Sequence, residues 1–568
     1  PNPNPNPTQV HNSLLALRTL AKRYEYKKKE DRGPLDDIVT QTYPLLLELC
    51  SNLIKTNNTT IEAALMVKQT LKIFWSATQF FLSSGANTRE ALTPWFELFQ
   101  HLQAQPLPEA SENLPPFNQP TEVEDRNSWP WWKVKKWTIR IMNRIFSRYG
   151  NPAKADSDDS MQAFAKYFSE EVAPVFMGVV CNTLALKSQN RFCTDKVTQI
   201  CLEYIERAVE LKTTYALLKP HLQFLVYDVC FPIICLTPVD IVMFDTDPHE
   251  FVQRANSFMM DFADPRMSAL NLISELFKHR SKDVAAKLLK FTAQTLAEYA
   301  AAPPAQKNHV KLDGALNILG TLHEPLKSKT KFNSQLVAMV SEHVIPAFES
   351  PISFLRCRAC WMVNCFSDLN FNDNGAISLK ITQCVFQRLG DPALPAQIEA
   401  SKALRQLIQV EGAKEALLPV LPQILNEYFR ILNEIGSDEV VDALQTIIEV
   451  FEEHMEVSPQ YSITPLLHYS ITPLLHYSIT PIRKIKPNIL FIFCFAKIGA
   501  GAAPRRCARQ PAGQHLQEVL RQGGGRRGKR RRGSCSHTVP RVHLNGAHRR
   551  VRIKAKRVNL QASRTDHD

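Results

Sequence analysis

The stretch Ala269-Leu270-Asn271-Leu272-Ile273-Ser274-Glu275-Leu276 places apolar side chains at Ala269, Leu272, Ile273 and Leu276. That i, i+3, i+4, i+7 spacing puts all four on one face of a helix. The quartet returns as Ala315, Ile318, Leu319 and Leu322, then as Ala359, Met362, Val363 and Phe366. It comes again as Ala400, Ala403, Leu404 and Leu407, and as Val440, Ala443, Leu444 and Ile447. The first members are spaced by 46, 44, 41 and 40 residues. Between successive quartets lies a second apolar helical stretch, at Ala286–Tyr299, Gln335–Phe348, Ile377–Leu389 and Leu418–Leu432. Two helices in every ~40–47 residues is the period of HEAT and armadillo arrays. The small residue that opens most quartets lets neighbouring helices approach closely. A single pair cannot bury its apolar face, so the pairs must stack. Five quartets in near-constant register argue against an irregular helical domain. The pattern predicts an all-α fold, a HEAT-repeat (ARM-like) α-solenoid superhelix, with helical periodicity from Ser13 to about Met455.

Outward from the quartets, residues 13–102 and 130–455 read as HEAT-like repeats. Residues 1–12 open on a Pro-Asn repeat and read as a disordered, low-complexity start. Residues 103–129 read as a flexible acidic, proline-rich loop. Gly150 to Ser160 is a shorter polar break. Residues 456–568 read as a disordered basic tail, because the text changes at Tyr461. Tyr-Ser-Ile-Thr-Pro-Leu-Leu-His occurs twice in tandem, and a third copy begins at Tyr477. A proline in every eight-residue copy cannot continue a helical stack. The segment from Gly523 to Gly533 then carries Arg526, Arg527, Lys529, Arg530, Arg531 and Arg532. Three readings of the tail stand: a phosphate-binding arm for RNA or DNA, a nuclear localisation signal, or non-native text from a retained intron and a shifted reading frame. The abrupt change, with no helical pattern beyond it, favours the third.

The tail also distorts the charge balance. The whole chain is +13, but Tyr461 to Asp568 holds 22 basic against 3 acidic residues. The preceding 460 residues keep 46 basic and 52 acidic residues, so the body is mildly acidic and attracts basic partners. Nucleic acid is a partner only through the tail. The 13 cysteines are scattered, with a single C-x-x-C at Cys357 and Cys360 inside a helical pattern. Without a second pair at zinc spacing, these read as buried helix cysteines in a reducing compartment rather than a metal or redox site. The tail's longest apolar run, Ile489 to Ala496, is far short of the ~20 residues of a spanning helix, and no membrane insertion is expected. No phosphate loop, H-E-x-x-H or G-x-S-x-G occurs, so no enzyme activity, metal or cofactor is expected.

The candidate partner-binding residues are few. Trp131 and Trp132, among the tryptophans at 129, 131, 132 and 137, suit either an aromatic anchor for a partner peptide or pins that fix the preceding loop to the next helix. Lysines alternating with Val134 and Trp137 at a helix entry favour the pins. Glu122, Glu124 and Asp125 lie in the acidic loop. Asp245, Asp247 and Glu250 lie between two helical stretches, where they suit contact with a basic partner or, more simply, capping and solvation. The mixed-charge run from Lys27 to Arg32 reads as a solvated loop.

Short stretches in a fixed order carry a family resemblance. They are Arg23-Tyr24-Glu25-Tyr26-Lys27-Lys28, Trp129-Pro130-Trp131-Trp132-Lys133-Val134-Lys135-Lys136-Trp137 and Arg148-Tyr149-Gly150. Then follow Asp228-Val229-Cys230-Phe231-Pro232, Asp247-Pro248-His249-Glu250-Phe251, Asp313-Gly314-Ala315-Leu316 and Arg356-Cys357-Arg358-Ala359-Cys360-Trp361. On these, residues from about Val10 to Met455 resemble the importin-β superfamily, in the branch of import receptors numbered seven and eight in animals. The resemblance implies a karyopherin that carries protein cargo from cytoplasm to nucleus through nuclear pores and shuttles between the two. It implies basic cargo such as ribosomal proteins or histones, FG-repeat nucleoporins as pore partners, and regulation by the GTPase Ran. The family's Ran-contacting N-terminal repeats and its C-terminal repeats are not seen in this sequence. The expectation is of a receptor truncated at both ends, with little response to Ran. The competing reading is a HEAT scaffold for a static protein complex.

Overall fold

Helices begin where the sequence supplies a cap. The side chains of Thr60, Thr88, Thr194, Asn308 and Ser437 each accept a backbone N–H of the first turn that follows. Thr237 and Asp240 close a reciprocal capping box. Each such cap contributes about 1 kcal/mol by satisfying an orphan donor. The C-terminal ends are closed differently, by cations from other helices. Lys135 Nζ donates to the Gln103 and Gln105 carbonyls, both at 2.7 Å, at the end of helix Arg89–Ala104. Arg32 reaches Ala77 O at 2.5 Å, and Arg144 reaches Trp75 O at 2.6 Å, where helix Ile61–Ala77 ends. Arg280 donates to Val209 O at 2.7 Å and Glu210 O at 3.0 Å. A cation at the negative end of a helix dipole is favourable, and here it also ties one helix to the next.

This computed structural model describes residues 6–457, apart from 57–58, 80–81, 83–87, 110–118, 156–158, 257–263, 370, 372–374 and 411. Among the described residues every regular element is helical. The five quartets lie in helices Pro265–His279, His309–Thr321 with its cap Leu322, Ser353–Phe366, Leu394–Leu407 and Asp438–Val450. Each quartet side chain is at most 6% exposed. Each of these helices packs on the next. The row extends upstream through Asp195–Glu210, Pro130–Arg148, Ile61–Ala77 and Pro7–Tyr24, every member touching its neighbour. A second set packs against this first row: Gly33–Lys55, Arg89–Ala104, Ala173–Ser188, Ser281–Ala301, Ala376–Arg388 and Leu421–Glu434. Paired helices stacked into a continuous core are the α-solenoid that the period predicts.

Among the described residues three helices carry a π-helical turn, at Phe168–Val172, Phe224–Cys230 and Val340–Val344. A proline follows each by two residues, as Pro174, Pro232 and Pro346. Proline lacks the N–H for an i−4 bond, and its ring crowds the carbonyl one turn back. Widening that turn relieves the crowding and keeps the helix going. The run Phe224–Thr246, with mean hydropathy 1.9, is the candidate membrane span among the described residues by length and composition. It is not one helix, because the backbone becomes extended at Cys235 and a new helix starts at Pro238. Leu225, Val229, Cys230 and Phe231 are buried in the core.

Two boundaries differ from expectation. The first helix starts at Pro7, inside the segment read as a disordered start: Asn6 caps it by accepting the Thr8 N–H, and Pro7 is pre-set for the first turn. Within the segment read as a flexible loop, Val123–Ser128 is a short helix, and Arg126 pins it by donating to Pro120 O and Thr121 O at 2.7 Å. The basic tail from residue 458 onward lies outside the described residues.

Candidate functional site

The ordered motifs turn out to be joints between helices. Arg358 Nε donates to Asp313 Oδ1 at 2.7 Å, so the Arg356–Trp361 stretch meets the Asp313–Leu316 stretch directly. A Cβ at Gly314 would lie 2.6 Å from Cys235 Sγ and 3.3 Å from Phe231, which brings in the Asp228–Pro232 stretch. A Cβ at Gly320 would lie 2.2 Å from Trp361, and one at Gly150 would lie 2.3 Å from Phe168. These glycines permit backbone approaches that no larger residue allows. Arg356 makes a bidentate pair with buried Asp391, at 2.7 and 2.9 Å. Cys357 and Cys360 sit on helix Ser353–Phe366, and burial pushes both thiols well above the usual value, so they pack as small apolar groups.

Trp132 pins the preceding connection, and Trp131 pins instead the turn that leads into helix Ile61–Ala77. Trp131 is 5% exposed and donates from Nε1 to Thr59 O at 2.8 Å. Trp132 is 2% exposed, donates to Gln119 Oε1 at 2.9 Å and packs edge-on against Phe192. Neither ring is available as an anchor for a partner, which corrects that reading; each buried indole N–H has found an internal acceptor. Trp132 and Lys135 also line a cleft between Gln105–Glu109, Gln119 and Arg126 on one side and helix Ala173–Ser188 on the other. Glu122, Glu124 and Asp125 are exposed, at the start of the short helix Val123–Ser128, where carboxylates favour the helix dipole.

The second acidic group is a set of local fasteners. Asp245 accepts from Ser353 Oγ at 2.8 Å and so ties helix Pro238–Thr246 to Ser353–Phe366. Asp247 accepts the Glu250 N–H at 3.1 Å as a helix cap. Glu250 pairs with Arg254 at 2.7 Å, one turn along.

A different acidic stripe emerges on the first row. On helix Asp195–Glu210 the partly exposed residues include Glu203, Glu206 and Glu210, and Glu275 faces them from the adjacent helix Pro265–His279. Burial, only partly offset by Arg207 and reinforced by Glu203, Glu275 and Glu210, pushes the Glu206 carboxyl up to about 7. Glu203 accepts from Asn143 at 2.9 Å, Glu210 pairs with Lys154 at 2.6 Å, and Glu275 pairs with Lys278 at 3.0 Å and lies 2.9 Å from His279 Nε2. Glu206 sits between Arg207 and three carboxylates, and an arriving ammonium or guanidinium would favour its charged form. The signal was present in the sequence as acidic residues at i, i+3 and i+7, opposite the apolar face of a helix. Reading the body as a single net charge hid it.

The comparisons with known proteins agree with this architecture. No family model matches the chain. It is 32% identical over 451 residues to an importin beta-like SAD2 homolog of Arabidopsis thaliana, covering 79% of this chain and 43% of that protein. It is 30% identical over 437 residues to importin-8 of Homo sapiens, covering 77% of this chain and 40% of that one. The chain thus spans less than half the length of the curated relatives it matches. Among solved structures, the exportin Cse1 in its cargo-free, cytoplasmic state superposes with a TM-score of 0.50 at 11% identity, over 86% of this chain and 56% of that one. At that identity the likeness speaks for the fold alone.

Proposed function

Since the chain belongs to the importin-β superfamily, on the branch of importins seven and eight, we propose that it acts as a nuclear transport receptor for basic protein cargo. The observation that carries the reading is the acidic stripe of Glu203, Glu206, Glu210 and Glu275, on the partly exposed side of two adjacent first-row helices. Lysine and arginine side chains of a histone or ribosomal protein are complementary to it, and the attraction weakens as salt rises. Binding needs no cofactor and no bond making; the chain is a carrier. A basic group beside Glu206 would expel the proton that this carboxyl holds near neutral pH.

Passage through pores calls for weak apolar contacts. Val175, on helix Ala173–Ser188, and Leu217, on the touching helix Lys212–Leu218, are about half exposed and supply apolar ground for phenylalanines of FG-repeat nucleoporins. The protein would then shuttle between cytoplasm and nucleus, with Ran as the regulator in this family. The test is import of a fluorescent core histone into permeabilised cells supplied with Ran and the full chain. Nuclear accumulation above a receptor-free control is expected, and a Glu203→Gln, Glu206→Gln, Glu275→Gln variant should lose it. A histone that binds the chain yet stays outside the nuclei would rule out transport and leave a static scaffold.

A further inference from the structure

The first three helices of the first row carry a charge opposite to that of the acidic stripe. Pro7–Tyr24, Ile61–Ala77 and Pro130–Arg148 together hold 11 basic residues and one acidic residue, Glu62. Some of these cations serve the fold: Lys135 and Arg144 close helix ends, as described above. Others form a partly exposed stripe. On Ile61–Ala77 the partly exposed positions are Leu65, Lys68, Lys72 and Trp75, and on Pro130–Arg148 they include Lys133, Lys136 and Arg140. The three-to-four-residue spacing puts each set on one helix face. Arg18 adds a cation from Pro7–Tyr24.

Trp75 and Trp137 form the floor of this stripe, edge to face, with ring centres 5.5 Å apart. The chain's own cations already occupy their faces. Lys72 lies 5.1 Å and Lys136 5.4 Å from the Trp137 ring centre. Arg140 lies 5.0 Å from Trp75 and 5.3 Å from Trp137. Arg144 lies 3.3 Å from Trp75. An aromatic slot that could take a lysine from a basic partner, or stack a nucleobase, is therefore filled. What faces outward is positive charge. Burial, then Lys133 and Arg18, push the Lys68 ammonium below the usual lysine value.

We propose that Arg18, Lys68 and Lys133, backed by the Trp75–Trp137 platform and its bound cations, form a second docking surface that takes an acidic polypeptide segment. Lys68 and the two cations that repel it, on three stacked helices, gain most from a run of carboxylates laid across them. Packed helix axes lie about 8–10 Å apart, so the three span about 20 Å. An extended acidic segment of about six residues covers that distance. Partly exposed Leu65, one turn before Lys68, flanks the cations and suits an apolar residue interspersed in such a segment. The molecule would thus be bipolar along its first row, with acidic ligands near its start and basic ligands near Glu206. This surface stands on its own residues and does not depend on the transport reading.

The experiment uses the full chain and a short fluorescent oligoglutamate peptide carrying a benzoylphenylalanine photo-crosslinker. Cross-links should map to helices Ile61–Ala77 and Pro130–Arg148. The variant Arg18→Glu, Lys68→Glu, Lys133→Glu should lose at least about tenfold in affinity, while its helical circular dichroism stays that of the parent. If the reversals unfold the chain, the milder Lys68→Gln, Lys133→Gln variant decides, with an expected loss of about threefold. Cross-links confined to residues 461–568 would overturn the proposal. So would unchanged affinity in the folded variant, or a single-stranded RNA that displaces the peptide in a way these substitutions abolish.

Discussion

Replacing Asp313 with alanine should loosen one joint of the stack and leave its distant parts intact. Arg358 Nε and Nη2 donate to the two Asp313 oxygens at 2.7 and 3.4 Å, which links His309–Thr321 to Ser353–Phe366. The Asp313 side chain is 2% exposed and that of Arg358 is 18% exposed. Burial pushes the Arg358 guanidinium down, but Asp313 outweighs it and holds the group above its usual value. Removing one partner of a buried pair costs about 3–5 kcal/mol, because the other charge is stranded. Arg358 keeps some solvent and lies 4.7 Å from the Trp361 ring centre, a contact worth about 1 kcal/mol. The expected loss for Asp313→Ala is therefore about 2–3 kcal/mol. Stacked repeats open locally, so a global melt would average the effect away. Amide exchange should read it as about 30- to 150-fold faster opening in these two helices. The double variant Asp313→Leu, Arg358→Met should recover to within about 1 kcal/mol of the parent, because it removes both charges. Exchange within about threefold of the parent in Asp313→Ala would refute the view that this pair holds the joint.

Three further outcomes are expected. Gly320→Val places its Cβ 2.2 Å from Trp361, so the two helices must part, with a cost of about 2 kcal/mol and a red-shifted tryptophan emission. Leu319→Asp puts a carboxylate among Ala315, Ile318 and Leu322, all buried, and should lower stability by about 4 kcal/mol; an unchanged melting curve would mean that the quartet is not core. Glu206 is raised from 4.5 to about 7, so across that window the folded chain keeps a proton that the unfolded chain sheds. The stability from this group is greatest at the acid end and is lost as pH rises to 7. Urea titrations on either side of the window should show that slope, and Glu206→Gln should flatten it.

The quartets were legible because burial demands an apolar side chain wherever a helix meets its neighbours. Ala269, Ala359 and Ala400 declare both the face and the closeness of the next helix. The second helices were legible for the same reason. The π-turns were not, because widening a turn changes no residue type; only Pro174, Pro232 and Pro346, standing inside apolar helical runs, marked the places. The short start of the first helix was obscured by its Pro-Asn text, although Asn6 and Pro7 are a good cap and first residue. The motif tryptophans could be read as anchor or pin until Thr59 O and Gln119 Oε1 appeared as their acceptors. Those partners lie 72 and 13 residues away in sequence, beyond the reach of local pattern. The acidic stripe lay in plain sight at Glu203, Glu206 and Glu210, but Glu275 joins it only through helix stacking. Its segregation from the basic stripe at Lys68 and Lys133 is invisible in a summed charge.

The central claim is that a basic protein docks on the acidic stripe of the first row. Hydrogen exchange on the full chain, with and without a core histone, tests it most directly. The account predicts added protection in Asp195–Glu210 and Pro265–His279, weakening as salt rises and absent in the Glu203→Gln, Glu206→Gln, Glu275→Gln variant. Protection that spares both helices, or that survives those substitutions unchanged, would contradict it.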